Sequence, residues 1–255
     1  MTESHGVASP GRRRILVAID PARVRAAPIA AAALLARELD MELTAILIEE
    51  QSWLRVAALP FARELQLASG QWQPFDAGGV ERLFREQMRR AESMLARVCA
   101  ERQTRFTVTV ERGTYPRRAI ESASAADWLV LDRGGAGNTE PNGYRRIAAA
   151  FDGSPAADRA LAAAAAIARD GRKPLRVLLL AQDPARFPAL RERARTIVGE
   201  GLAPEFGRAS DGAPAAILAR LADGGRALLV IGPGLAEPAA IAQPALSGCA
   251  VLLAR

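Results

Sequence analysis

Two stretches of this chain are written in the same grammar, and that constrains the fold more than any single motif. Arg13 and Arg14 lead into the apolar run Ile15 to Ile19, then Asp20-Pro21 and the Ala/Leu-rich Pro28 to Leu39. Arg145 and Arg146 lead into Ile147 to Phe151, then Asp152-Gly153-Ser154-Pro155 and the Ala-rich Ala156 to Arg169. Ile15 and Ile147 are 132 positions apart, and so are Asp20 and Asp152. Neither apolar run alternates, which suits strands buried on both faces of a parallel sheet, each followed by a crossover helix. The chain therefore reads as two copies of one strand-loop-helix module.

Helical and strand periods extend that grammar. In the first copy, Met41 to Ile48 predicts a second strand, Phe106 to Val110 a third and Trp128 to Leu131 a fourth. Between them, Phe84, Met88, Ala91, Leu95 and Val98 recur at steps of three and four, predicting a long helix over Val80 to Glu101. Its other face carries Arg and Glu four apart in the favourable order, as in Glu86 and Arg90, and reads as a self-paired solvated surface. In the second copy, strands are expected at Leu175 to Leu180, Ala227 to Ile231 and Ala250 to Leu253, with Glu205 to Arg208 a poor candidate for another. Helices are expected at Ala189 to Val198 and Ala213 to Leu221. The order of elements predicts an α/β fold: two packed modules with parallel sheets and helices on both faces. The boundaries expected are a disordered tail over 1–11, a first module over 12–133, a Gly/Asn-rich linker over 134–143 and a second, shortened module over 144–255.

The first copy is longer mainly because of residues 51–79. The fourth strands are only 100 positions apart, Val130 to Val230, against 132 for the first strands, so copy two is 32 residues shorter between these landmarks. The insert holds Trp53, Phe61, Trp72 and Phe75, four of only twelve aromatics in the chain, with a helical pattern around Leu59 to Leu67. These four aromatics are the candidate partner surface, since long connections in compact domains often serve as lids or contacts.

Composition narrows the chemistry. The one histidine, His5, lies in the expected tail, so Ser-His-Asp and Cys-His catalysis and His-based metal sites are not expected. Cys99 and Cys249 lack the C-x-x-C spacing of a zinc or redox motif and read as small buried hydrophobes. A Walker loop would need Gly-Lys-Ser/Thr, which is absent, and no metal or catalytic residue is expected. The net charge of +6 is spread as Arg along the chain, often within a helical turn of an acid, so nucleic-acid association is the weakest reading. No stretch is apolar enough for a membrane span or a leader, and a cytoplasmic setting is expected.

The run Arg146 to Ser154, a basic-led apolar strand ending in Asp before an Ala-rich helix, resembles the start of a universal stress protein domain, and the whole chain resembles a tandem of two degenerate copies. The resemblance implies a stress-related regulatory or interaction protein without catalysis, with a protein partner or self-association; single-module relatives pair through the edge that the final strand Ala250 to Leu253 forms, so this strand is expected either to join the modules or to make a dimer. It also implies a place to look for nucleotide. Members of the family that hold ATP resemble one another in Gly-x-x-Gly, nine residues, then Gly-Ser or Gly-Thr after the fourth strand. Here the corresponding run from Gly232-Pro233-Gly234 to Ser247-Gly248 has altered spacing, Pro233 lacks an amide and Glu237 adds the wrong charge. ATP binding is therefore expected to be impaired, and no cofactor is expected. What survives is Asp20 and the full Asp152-Gly153-Ser154, where the resemblance places the adenosine end. An Asp before a helix is also an ordinary turn residue. The alternative function is an adenine-nucleotide or small-anion sensor at the strand ends of the second module, built from Asp20, Asp152, Gly153, Ser154, Gly232, Gly234 and Ser247.

Overall fold

The computed structural model describes residues 13–49, 63–66, 70–74, 77–115, 117–122, 126–133, 143–210, 212–222 and 226–254. The expected tail, Trp53, Phe61 and Phe75 lie outside the described residues.

Among the described residues, eleven strands and seven helices follow in chain order. The first half runs β1 (Arg14–Ile19), α1 (Ala26–Glu38), β2 (Glu42–Glu49), β3 (Arg63–Gln66), β4 (Gln71–Pro74), α2 (Ala77–Glu101), β5 (Phe106–Arg112), α3 (Arg117–Ser122) and β6 (Trp128–Arg133). The second runs β7 (Arg146–Phe151), α4 (Pro155–Asp170), β8 (Leu175–Leu180), α5 (Phe187–Val198), β9 (Glu205–Ala209), α6 (Pro214–Ala222), β10 (Ala227–Ile231), α7 (Pro238–Ala242) and β11 (Cys249–Ala254).

Nine strands form one continuous sheet rather than two, in the order β5-β2-β1-β6-β11-β10-β7-β8-β9. All neighbours are parallel except β6 and β11, which run antiparallel with Leu252 opposite Val130. The final strand thus fuses the halves, with β6 on one side and β10 on the other. Because of that one reversal, the carboxyl ends of the first half's strands point to one edge of the sheet and those of the second half to the opposite edge.

The absence of alternation in the apolar runs is explained by burial on both faces. Ile15, Val17 and Ile19 enter the core beneath α1, α2, α4 and α5, while Leu16 and Ala18 enter the core that holds α3, α6 and α7. In β11, Ala250, Leu252 and Ala254 serve the first core and Cys249, Val251 and Leu253 the second. Alanines on α1 and α4 let these helices lie close to the sheet and to each other. On α2 the expected stripe packs inward at Ala91, Leu95 and Val98, and Arg90 bonds Glu86 at 2.9 Å across the exposed face. Cys99 and Cys249 are both buried, and desolvation pushes the Cys99 thiol up to about 11.

Two local expectations need correction. Of the helical pattern expected around Leu59 to Leu67, residues 63–66 are strand β3, paired antiparallel with β4; the rest lies outside the described residues. Gly70, at φ +66, supplies the left-handed turn, and cross-strand pairing overrides the weak helical period. Glu205 to Ala209, a poor strand candidate by its sequence, is a regular edge strand on β8. No helix among the described residues is long and apolar enough to cross a membrane.

Candidate functional site at the strand ends

Open parallel sheets bind ligands where successive connections leave in opposite directions, outside the strands' carboxyl ends. There are two such points here: between β1 and β6, and between β7 and β10. They lie at opposite edges of the sheet.

The second point gathers most of the expected residues. Asp152 ends β7 and accepts a bond from the Ser154 amide at 2.8 Å, while the Ser154 hydroxyl accepts from the Ala157 amide at 3.2 Å and caps α4. Gly153 sits between them at φ +81. Gly232, just past β10, lies against the start of α4: a Cβ there would be 3.8 Å from both the Ala156 Cβ and the Ala157 nitrogen. Asp152, Gly153, Ser154 and Gly232 therefore meet around one crevice. Gly234 belongs to the 3-10 turn Pro233–Leu235, and a Cβ on it would meet nothing within 4 Å. Ser247 is placed elsewhere. The register sets Leu228 beside Ala250, so Ser247 precedes the amino end of the ladder whereas Gly232 follows its carboxyl end, about 15 Å away or more.

The donors at the start of α4 are largely spent internally. Pro155 has no N–H, the Ala157 amide bonds Ser154 Oγ, and the Asp158 amide bonds the Ser154 carbonyl. Asp158 adds a negative charge in the first turn and pairs with Arg193 of α5. An anion at this helix end would meet a carboxylate and few free amides.

Gly153 has a conformational reason to be glycine that needs no ligand. A Cβ at its φ of +81 would stand 2.8 Å from Leu190 Cδ2, on α5. Gly153→Ala is expected to lower stability by about 1–2 kcal/mol, through left-handed strain and contact with a buried leucine. Urea unfolding of the unliganded protein checks this; an unchanged midpoint would show that the turn tolerates a side chain.

Asp20, at the first point, is explained by a twin that sequence reading missed. Asp20-Pro21-Ala22-Arg23 recurs word for word as Asp183-Pro184-Ala185-Arg186 after β8. Asp20 accepts from the Ala22 amide at 3.0 Å, and Asp183 from the Ala185 amide at 2.9 Å, each opening a 3-10 turn with nearly the same backbone angles. Only one copy of this turn lies at a switch point, so the motif itself encodes the turn.

The first crevice holds a feature with no sequence signal, since its partners are 107 positions apart. Arg25, immediately before α1, grips Asp132 at the end of β6 with two guanidinium nitrogens, Nε to Oδ2 at 2.8 Å and Nη2 to Oδ1. The same guanidinium donates to the carbonyls of Gly248 and Cys249 at the start of β11, both at 3.2 Å. Tyr115 donates its hydroxyl to the Asp132 carbonyl at 2.6 Å. Burial works against the charge on Arg25, but the bond and attraction to Asp132 outweigh it, and its pKa is raised. Tyr144 completes the cluster. Its hydroxyl is buried without a hydrogen-bond partner among the described residues, and desolvation, then the charge of Asp132, pushes it well above the usual range. The first switch point is thus filled by the chain's own ion pair.

Trp72, on β4, is the one expected partner-surface aromatic among the described residues, and it is 62% exposed.

No protein-family model matches the chain, and no curated protein matches it in sequence. Among solved structures, a universal stress protein from Archaeoglobus fulgidus is similar over 96% of this chain and 99% of its own, at 14% identity and a TM-score of 0.48. A second universal stress protein from Archaeoglobus fulgidus aligns with 44% of this chain and 99% of its own, at 21% identity and a TM-score of 0.35. A universal stress protein solved in complex with cAMP aligns with 43% of this chain and 96% of its own, at 25% identity and a TM-score of 0.32.

Proposed function

We propose that the chain is a tandem universal stress protein of two degenerate copies, a non-catalytic cytoplasmic regulatory protein that works through protein contacts and has lost effective ATP binding. The copies are residues 12–133, with the insert 51–79, and residues 144–255, joined by a linker over 134–143. The observation that carries this reading is the strand order, in which β5-β2-β1-β6 and β9-β8-β7-β10 repeat one arrangement about a shared β11. Impaired nucleotide binding is supported at both switch points. The first is filled by Arg25 and Asp132. At the second, Pro233 opens a 3-10 turn where a phosphate loop would need free amides, α7 has only five residues, and Ser247 stands at the other edge. Since β11 is paired on both sides, self-association would have to use another surface, with the insert around Trp72 the first to test.

The sensor reading keeps one specific support: Asp152, Gly153, Ser154 and Gly232 converge at the second crevice. Thermal unfolding with millimolar Mg-ATP, ADP, AMP and cyclic AMP separates the two. A ligand at a hundred times its Kd would add about 2.7 kcal/mol, or about 5–10 °C for a chain of this size. The interaction reading expects a change under about 1 °C with every nucleotide. A rise of several degrees with any of them would establish the sensor instead.

A further inference from the structure

The far edge of the sheet, β9, carries an array of arginines that neither half of the proposal uses. Phe206 and Arg208 are two apart on this strand and share the face covered by α5. Arg191 and Arg195 of α5 stack over the Phe206 ring, their guanidinium carbons 5.3 and 5.9 Å from its centroid, and Arg208 stacks over Phe187 at 5.5 Å. Aromatic rings thus hold three guanidiniums along one strand edge. Arg195 is shared with Glu192 at 3.8 Å, while Arg191 and Arg208 make no ion pair among the described residues.

The backbone of β9 is open on its outer side except at the Arg208 carbonyl. Only β8 pairs with it among the described strands. Ala209 turns its carbonyl toward β8, where it accepts from the Ala181 amide at 3.2 Å. Backbone groups alternate sides along a strand, so Phe206 and Arg208 direct theirs outward, where Arg220 of α6 donates to the Arg208 carbonyl at 2.9 Å and an incoming strand would have to displace that exposed side chain. The Phe206 amide and carbonyl and the Arg208 amide have no partner among the described residues, and these are the groups flanked by arginines.

We propose that β9 is a docking edge for an extended acidic polypeptide segment, which adds as a further strand while its carboxylates meet Arg191 and Arg208. Main-chain bonds supply affinity in this mode and side chains supply selection. The arginines turn away cationic strands and a second copy of β9 itself, and leave an acidic strand as the complementary partner. Single-stranded nucleic acid fits less well, because it needs open ring faces for base stacking. Here the Phe206 ring lies under two guanidiniums and Phe187 is only 4% exposed.

Fluorescence anisotropy of the full chain with a labelled peptide of about ten alternating Val and Glu residues tests this, at about 50 and about 300 mM salt. Saturable binding that weakens with salt is expected, with none for the Val/Lys peptide. The double variant Arg191→Ala/Arg208→Ala should bind at least about tenfold more weakly. Methylating the peptide's alternate backbone nitrogens, which keeps every charge, should weaken binding to the unaltered protein by a similar factor. That arm does not depend on the variant folding. Absence of binding at millimolar peptide, an unaffected methylated peptide, or an unaffected folded variant would each overturn the proposal. So would tighter binding of an oligothymidine of the same length, which would make the edge a nucleic-acid face.

Discussion

Arg25→Ala is expected to destabilise the chain by about 3 kcal/mol, lowering its melting temperature by roughly 6–12 °C, because it takes a two-pronged cation away from a buried carboxylate rather than merely removing a surface contact. Asp132 is only 9% exposed and is the one buried acid among the described residues. With the guanidinium gone, its charge would face the carbonyls of Gly248 and Cys249, which Arg25 now satisfies. The double variant Arg25→Leu/Asp132→Leu should recover most of the loss, since it removes both charges of the buried pair together. Thermal and urea unfolding of the two variants decide this. If Arg25→Ala loses less than about 1 kcal/mol, the pair behaves as a solvated surface bridge and the crevice is open to water.

The same pair limits any attempt to restore nucleotide binding in the first half. Arg25 reaches β6 and the start of β11 at once, so a ligand there would have to displace an internal cation already satisfied on several sides. The second crevice carries no such plug among the described residues, which is why the nucleotide experiment reads that site.

Much of the architecture is legible in the residues, for a physical reason. Strands buried on both faces must be continuously apolar, and Ile15 to Ile19, Leu175 to Leu180 and Ala227 to Ile231 announce themselves without ambiguity. Edge strands have no such obligation. Glu205-Phe206-Gly207-Arg208 reads poorly because none of the four is fully buried, Glu205 and Arg208 being exposed and Phe206 and Gly207 half-buried. The candidate site divides in the same way. Asp152, Gly153 and Ser154 are contiguous, and their turn can be read directly, whereas placing Ser247 requires the direction of the connection from β10 to β11, which spacing alone does not contain. Arg25 and Asp132 leave no trace in the sequence, being joined only through the sheet. Asp-Pro-Ala-Arg differs from both, because its two occurrences are plain in the residues and their repetition alone marks Asp20 as a turn residue.

Leu252→Ala should give the largest loss, about 3–5 kcal/mol, and should show that the two halves melt as one. Leu252 is fully buried between Val130 of β6 and Val230 of β10, inside the core that α1, α2 and α4 share. A cavity there has no flexible neighbour to collapse into, because rigid ladders flank it on both sides. The residue belongs to the second half by sequence, yet its strand covers the first half's innermost edge. Trp128, on β6, opposes Ala254 and reports that half. With Trp53 and Trp72 replaced by Phe, its fluorescence transition in urea should therefore move together with the far-ultraviolet signal of the whole chain, by the same amount. If Leu252→Ala shifts the overall signal but leaves the Trp128 transition in place, β11 is not the element that couples the halves, and each stands on its own core.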